Sequence, residues 1–353
     1  MKNIIITVGA RPNFMKVAPL LRILDGNASF HVTLVHTGQH YDHKMSDVFF
    51  EELNIRKPDY NLNIGSGSHS TQTAKIMVEF EKICNEKSPD LLIVVGDVNS
   101  TMACSVVAKK LHIEVAHIEA GLRSYDRNMP EEINRLITDS ISDYFFVTEK
   151  SAVDNLLKEG VDKNKIHFVG NLMIDSLHYG LNKLSKNRKF QNVEYGLVTL
   201  HRPANVDNIL VLKGLMEALS KISLELKLLF PIHPRTRKII SDNDITFENI
   251  ELMDPLPYLT FLHAMRDSKV VFTDSGGIQE ESSVLKIPCY TLRENTERPI
   301  TIKQGTNILA GVEKNKILKI FKKNKFNINS NYKLPEKWDG KSSQRIAKIL
   351  EKI

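Results

Sequence analysis

Three acidic residues stand where proton transfer could use them. Asp97 follows the apolar run Leu91–Val95. Glu119 follows Val115–His117 in His117-Ile-Glu119-Ala-Gly-Leu-Arg123, and Glu131 comes just after Pro130, a natural helix start. Carboxylates gathered in one cleft settle into different protonation states and can divide acid and base work. Asp97 has a rival reading as N-cap of a helix over Ser100–Leu111, and Glu132 reads as a surface residue or a partner for Arg135. Cations occupy comparable places. In Gly9-Ala-Arg11-Pro-Asn-Phe-Met-Lys16, Pro12 suits the first helical position. Arg11 then lies at a helix N-terminus, which attracts anions, and Lys16 lies one turn on. The spacing is not Gly-x-Gly-x-x-Gly, so the dinucleotide fingerprint is missing.

The second half carries groups suited to phosphate. His201-Arg202 ends one apolar run and His233-Pro-Arg235 ends another; a lone strand-end histidine is usually structural, but two such loops favour a role for His201. Phe272-Thr-Asp-Ser275-Gly276-Gly277 reads as strand, turn and helix start. Glycines there let backbone approach a diphosphate, whose charge the helix dipole favours. Glu281 falls on the order of 9 Å further along that helix, where a carboxylate can hold ribose hydroxyls. Arg293 and Arg298 follow the next strand and add basic groups beside the turn. Carboxylates in one half and diphosphate chemistry in the other suggest a nucleotide-sugar held between two domains.

The elements that must position these groups follow from periodicity. The chain has 353 residues, enough for two domains. Short β-branched runs alternate with amphipathic helical stretches. Strands are expected at Asn3–Val8, Val32–His36, Leu91–Val95, Val115–His117, Tyr144–Val147 and Ile166–Val169. A second set is expected at Gly196–Thr199, Leu226–Pro231, Ile250–Leu252, Val270–Thr273, Cys289–Thr291 and Asn307–Leu309. Runs apolar throughout mark parallel strands buried on both faces, and the alternation predicts a doubly wound α/β fold. The polar stretch Leu181–Gln191 suggests a boundary near 170–190, and Asp339–Ile353 reads as a final amphipathic helix.

Composition excludes several classes. Hydrophobic residues make up 42% and charged residues 25%, an ordinary globular mix. No apolar run reaches the roughly 20 residues of a membrane span. Cys84, Cys104 and Cys289 are too scattered for a disulfide framework or zinc site, which points to core cysteines in a reducing cytoplasm. The net charge of +6 comes from residues 313–353, where twelve Lys/Arg against four Asp/Glu give +8, while the remaining residues carry −2. That tail reads as a solvated helix face rather than a nucleic-acid surface.

Taken in order, GARPNFMK, HTGQH, VVGDVNST, HIEAGLRS, MPEEINR, LHRPANVDN, DSGGIQEE and NTERP resemble the non-hydrolysing UDP-N-acetylglucosamine 2-epimerase family, from Ile4 to about Gly311. The resemblance implies two facing Rossmann-like domains of the glycosyltransferase-B type, residues 1–172 with about 337–353 and residues 173–336, with the last helix crossing back to the first. It implies a homodimer, no metal or redox cofactor, and a UDP-sugar substrate. It also implies that Arg11, Lys16, Asp97, Glu119 and His201 contact substrate or serve catalysis, with Glu131 a further catalytic carboxylate. Ser275, Gly276 and Gly277 would hold diphosphate, Glu281 the ribose, Arg298 the diphosphate or its neighbourhood, and the backbone around Leu256 and Phe261 the uracil. Family members regulated by their substrate carry a second Gln three positions after the Gln of the QH motif. Here Gln39 is followed by Tyr41, Asp42 and His43, which departs from that pattern. HTGQHYDHKMSDVFFEEL and HRPANVDN also resemble relatives acting on other UDP-2-acetamido sugars, including diacetamido-uronic acids and 6-deoxy hexosamines. A UDP-sugar glycosyltransferase would share the fold, but clustered carboxylates suit proton transfer better.

Overall fold

The computed structural model describes residues 1–38, 50–184, 194–328 and 330–353. The Gln39–His43 segment and residues 185–193 of the expected boundary lie outside the described residues, as does the Arg11 side chain. The chain divides into two compact units, Met1–Tyr179 with Glu336–Ile353, and Gly180–Pro335.

The first unit holds a seven-stranded parallel sheet built from β1 (Lys2–Val8), β2 (Phe30–His36), β3 (Tyr60–Asn61), β4 (Leu91–Val95), β5 (Glu114–Ile118), β6 (Tyr144–Val147) and β7 (Ile166–Phe168), in the order β3-β2-β1-β4-β5-β6-β7. The apolar runs form its centre: Ile4 to Ile6 pair with Leu91 to Ile93, and all are buried. Each such side chain contributes about 1.5–3 kcal/mol by leaving water. The second unit repeats the design with β8 (Tyr195–Thr199), β9 (Lys227–Pro231), β10 (Ile250–Met253), β11 (Val270–Thr273), β12 (Cys289–Thr291) and β13 (Asn307–Leu309), ordered β10-β9-β8-β11-β12-β13. The expected α/β class is found: two parallel sheets with helical crossovers. All twelve expected strands form, and among the described residues only the two-residue β3 was not anticipated. The three cysteines are free and buried.

The helix Leu172–Lys183 begins in the first unit. Asp175 there accepts from the backbone N–H of Ser342 at 3.0 Å and of Ser343 at 2.7 Å, at the start of the last helix, Ser342–Leu350. The only tryptophan, Trp338, is buried in this unit and donates from Nε1 to the Thr148 carbonyl at 3.1 Å. These bonds attach the C-terminal segment to the first unit. Among the described residues no helix is long and apolar enough to cross a membrane.

Candidate active site

Both sheets reverse their strand order at one place, β1 beside β4 in the first and β8 beside β11 in the second. Loops leaving the carboxyl ends of such strands border a crevice where α/β folds bind ligands. Of the sequence-predicted residues, Lys16 and Asp97 follow β1 and β4, and His201 and Ser275 follow β8 and β11; Glu119 follows the neighbouring β5, Arg298 follows β12, and Leu256 and Phe261 follow β10.

In the first unit, Asn13 organises the turn after β1. Its Oδ1 accepts from the backbone N–H of Gly9 at 3.2 Å and Ala10 at 3.0 Å, and its Nδ2 donates to the Val95 carbonyl at 3.0 Å. The helix Arg11–Leu24 thereby starts against the end of β4. One turn in, Lys16 Nζ donates to Glu119 Oε2, with both side chains largely buried. Directly after β4 comes Gly96, in the left-handed region at φ +72°. A Cβ added there would stand 3.4 Å from Glu119 Oε2 and 3.5 Å from Lys16 Nζ, so glycine brings the backbone beneath the ion pair.

Asp97 follows directly. It is not the helix N-cap: the helix Asn99–Lys110 is preceded by Val98, with no side-chain cap. Instead Asp97 Oδ2 accepts from Arg135 Nη1, and its carbonyl accepts from Asn134 Nδ2 at 2.9 Å. Both partners lie on the helix Pro130–Ile141. Arg135 is 2% exposed and also donates to Glu132 Oε2 through Nε at 2.9 Å and Nη2 at 2.6 Å. Glu132 is therefore a buried Arg135 partner rather than a surface residue. Burial would raise its carboxyl, but the Ser124 N–H, Arg135 and the Tyr125 N–H outweigh this and hold it below the usual range. Glu131 sits half-buried in the first turn of this helix, and the bonds to Asp97 come from Asn134 and Arg135.

A buried network underlies Glu119. His117 Nδ1 is 2.6 Å from Asp139 Oδ1, and Nε2 is 2.8 Å from the Gly96 carbonyl oxygen. Asp139 Oδ2 accepts from Gly121 N at 3.0 Å and pairs with Arg123 Nη1 at 2.7 Å. Burial alone would raise the Asp139 carboxyl; the charges and hydrogen bonds of His117 and then Arg123 outweigh it and hold the group low. Both His117 ring nitrogens therefore face oxygen atoms that can accept. Glu119 itself has φ +74°, which costs a non-glycine residue about 1–2 kcal/mol. Its N–H donates to the Phe146 carbonyl at 2.9 Å.

In the second unit, Ser275 precedes the helix Gly276–Leu285 and makes no side-chain cap. A Cβ on Gly276 would come within 3.1 Å of Glu297 Oε1. Glu297 is buried and pairs with Arg293 Nη2 at 2.9 Å and Arg202 Nη2 at 3.3 Å. Burial would raise its carboxyl, but Arg298, Arg293 and Arg202 drive it far down. Arg298 Nε pairs with Glu280 Oε1 at 2.6 Å. The turn therefore has a surround of three arginines and two carboxylates. Glu281 is buried five residues further and accepts from Tyr258 Oη at 3.1 Å. Tyr258 opens the helix Tyr258–Asp267, which also carries Phe261, and Leu256 lies in the loop before it. His201 pairs with Asp274, which precedes the turn. His233 caps its own helix, accepting from Arg235 N at 3.2 Å, a structural role. Among the described residues, no group of three or more His, Cys, Asp or Glu side chains could hold a metal ion.

The sequence matches the model of a family described as UDP-N-acetylglucosamine 2-epimerase over residues 22–351. The chain belongs to that family. It is an enzyme of the isomerase class. It is 44% identical over 361 residues to the UDP-N-acetylglucosamine 2-epimerase of Methanocaldococcus jannaschii, covering 98% of each chain. A crystal structure of the M. jannaschii UDP-GlcNAc 2-epimerase, in complex with UDP-GlcNAc and UDP, superposes with a TM-score of 0.90 at 43% identity, covering 100% of both chains. The UDP-2,3-diacetamido-2,3-dideoxy-D-glucuronate 2-epimerase of Pseudomonas aeruginosa is 39% identical over 320 residues, covering 90% of each chain. The family resemblance and the isomerase class read from the sequence are thus borne out. Asn13, His117, Asp139, Tyr258 and Asp274 were not singled out from sequence, although Asn13, His117 and Asp274 stand inside the quoted motifs.

Proposed function

We propose that this chain is a non-hydrolysing 2-epimerase that interconverts UDP-N-acetylglucosamine and UDP-N-acetylmannosamine. The carrying observation is the pair of cation-bound carboxylates, Glu119 on Lys16 and Asp97 on Arg135, at the ends of neighbouring strands. The C2–H of a UDP-hexosamine is not beside a carbonyl, so direct deprotonation is difficult. Breaking the C1–O bond sends the electron pair to the diphosphate and leaves an oxocarbenium-like centre that acidifies C2–H. A carboxylate takes that proton, giving 2-acetamidoglucal and UDP. Protonation from the opposite face and re-addition of UDP at C1 inverts C2. Asp97, Glu119 and Glu131 are the candidates for the proton steps, and Lys16, Arg11 and His201 for the developing charge.

In this reading the second unit holds UDP. Ser275, Gly276 and Gly277 would meet the diphosphate, with Arg298 beside them, and Glu281 the ribose. The backbone around Leu256 and Phe261 would meet the uracil. Arg202 Nε and Arg293 Nη1 are buried without a hydrogen-bond partner, and a phosphoryl oxygen would satisfy such donors. The working form is proposed to be a homodimer, which sedimentation reads directly.

The test is proton NMR of UDP-N-acetylglucosamine with the enzyme in deuterated water and no acceptor. Epimerisation with deuterium at C2 and no free UDP accumulating is expected; turnover without C2 exchange would refute the route. Asp97→Asn, Glu119→Gln and Glu131→Gln should each lower turnover by about a hundredfold or more. The Pseudomonas relative favours a second reading, a substrate that is another UDP-2-acetamido sugar. A higher kcat/KM on the diacetamido-uronate would select it.

A further inference from the structure

His201 and Asp274 form a unit at the switch point of the second sheet. β8 and β11 run side by side there, and the hydroxyls of Thr199 and Thr273 share a hydrogen bond of 2.7 Å at their ends. One residue beyond Thr273, the Asp274 carboxylate is fully buried beneath the His201 loop. Its Oδ1 lies 3.0 Å from His201 Nδ1 and accepts from the His201 backbone N–H at 3.2 Å. Its Oδ2 accepts from the backbone N–H of His201 at 3.1 Å and Arg202 at 3.0 Å, and from Asn205 Nδ2 at 3.1 Å.

These neighbours are all donors. Burial would raise the Asp274 carboxyl, but the His201 hydrogen bond and charge, with the two backbone N–H groups, hold it below the usual carboxylate range. An ionised carboxylate only accepts, so Nδ1 carries a hydrogen. Nε2 is then the nitrogen available for chemistry, on a side chain 55% exposed. The backbone N–H groups and Asn205 already hold the loop, so the Nδ1 contact is not needed for that purpose.

We propose that Asp274 is a positioning residue that fixes the His201 tautomer, so that Nε2 alone meets the substrate diphosphate. This rests on the reading of His201 given above. When the C1–O bond breaks, the electron pair moves onto the diphosphate oxygen. With Nδ1–H held on Asp274, Nε2 takes a proton from solvent; this Nε2–H donates to that oxygen, and Asp274 supplies the counter-charge for the cationic ring. The contact strengthens as charge develops, so it acts on kcat more than on KM.

Asp274→Asn tests this. Two donors, Arg202 N and Asn205 Nδ2, hold the amide oxygen at the Oδ2 position, which puts the amide NH₂ at the Oδ1 position facing Nδ1. Nδ1 must then accept, and the ring switches to the Nε2–H tautomer. Nitrogen NMR of the ligand-free protein at alkaline pH, where imidazoles are neutral, should show Nδ1–H in the native protein and Nε2–H in the variant. The variant ring can still donate from Nε2, but only as a neutral group with no counter-charge, so turnover should fall by about a hundredfold, the scale of one acid–base group, with KM moving less. In a His201→Gln background the same change should cost little more. An Nε2–H tautomer in the native protein, or full additivity with His201→Gln, overturns the proposal. If the variant does not fold, the native tautomer still decides. Because that measurement needs no substrate, it is separable from failure of the functional reading, which would appear as native enzyme putting no deuterium into the sugar.

Discussion

Arg135→Met isolates the ion pair that holds Asp97. Arg135 serves two carboxylates, and its side chain is 2% exposed, as is that of Glu132; Asp97 is 29% exposed. Removing one partner of a buried pair costs about 3–5 kcal/mol, because a charge is left uncompensated. Here the lower end applies. Glu132 keeps the Ser124 N–H at 3.0 Å, the Ser124 hydroxyl at 3.0 Å and the Tyr125 N–H at 2.9 Å, and Asp97 can draw in water. The expected loss is about 3 kcal/mol. Trp338 is the only tryptophan and is buried in the first unit, so its fluorescence in urea follows that unit. Glu132→Gln added to Arg135→Met should restore part of the loss, since the stranded charge is then gone. Turnover should stay low in both, by about a hundredfold, the cost of misplacing a reacting group by about 1 Å. Arg135→Lys should recover stability better than activity, because an ammonium cannot span two carboxylates as a guanidinium fork does. An Arg135→Met protein within about 0.5 kcal/mol of the parent, the range of a neutral surface change, with normal turnover would refute the assignment.

Three further perturbations probe separate parts of the structure. Gly276→Ala places a methyl 3.1 Å from Glu297 Oε1, and UDP affinity should fall about tenfold, or about 1.4 kcal/mol; unchanged calorimetric titration would remove the turn from the nucleotide site. Tyr258→Phe strips the 3.1 Å hydrogen bond from buried Glu281 and should weaken UDP binding by about 1 kcal/mol, with an unaltered Kd counting against a ribose role. His36 is buried, and burial pushes its imidazole from 6.5 down to about 4. The unfolded chain therefore takes up this proton first as pH falls, so the stability from His36 is complete above 6.5 and drains away towards 4, about 3 kcal/mol in all. Urea melts at successive pH values should show less acid sensitivity in His36→Gln, and identical slopes would contradict this.

The sheets were legible because their central strands are apolar throughout. Leu91–Val95 and Val270–Thr273 could hardly be anything but buried strands. Tyr60–Asn61 was missed because two residues carry no period. The glycine turn at Ser275-Gly276-Gly277 and the acids after β4 and β5 were readable for the same reason: chemistry follows strand ends. Partnership was readable only at short range, as for Glu132 with Arg135. Asp97 as an N-cap was a sound local inference, yet Arg135, thirty-eight positions away, takes its carboxylate. The helix instead starts with Val98 and no side-chain cap. Glu132 could be read as surface or as an Arg135 partner because it is charged in a first helical turn; it is buried because Ser124, Tyr125 and Arg135 together replace its hydration. His117 read as the last residue of a strand, and nothing local indicates that Gly96 and Asp139 will flank its ring.

The buried charges of the first unit sit where an apolar core would serve stability as well or better, since replacing buried ion pairs by packed hydrophobic residues is often neutral or stabilising. Their placement has another physical use. Glu119 adopts a left-handed backbone conformation, and such strain persists only when the surroundings over-determine it. The restraints are visible. Phe146 O holds the Glu119 N–H, Asp139 holds the Gly121 N–H two residues on, and His117 holds the Gly96 carbonyl under the Lys16–Glu119 pair. Arg123 and His117 keep Asp139 ionised for this work. The same logic applies to Asp97, pinned through a guanidinium that Glu132 itself pins. A carboxylate tethered this way cannot rotate to find its best solvation, and so, in the proposed reaction, it would need no reorganisation when charge appears on the sugar. The network is thus better explained as orientation of two acids than as a contribution to folding stability.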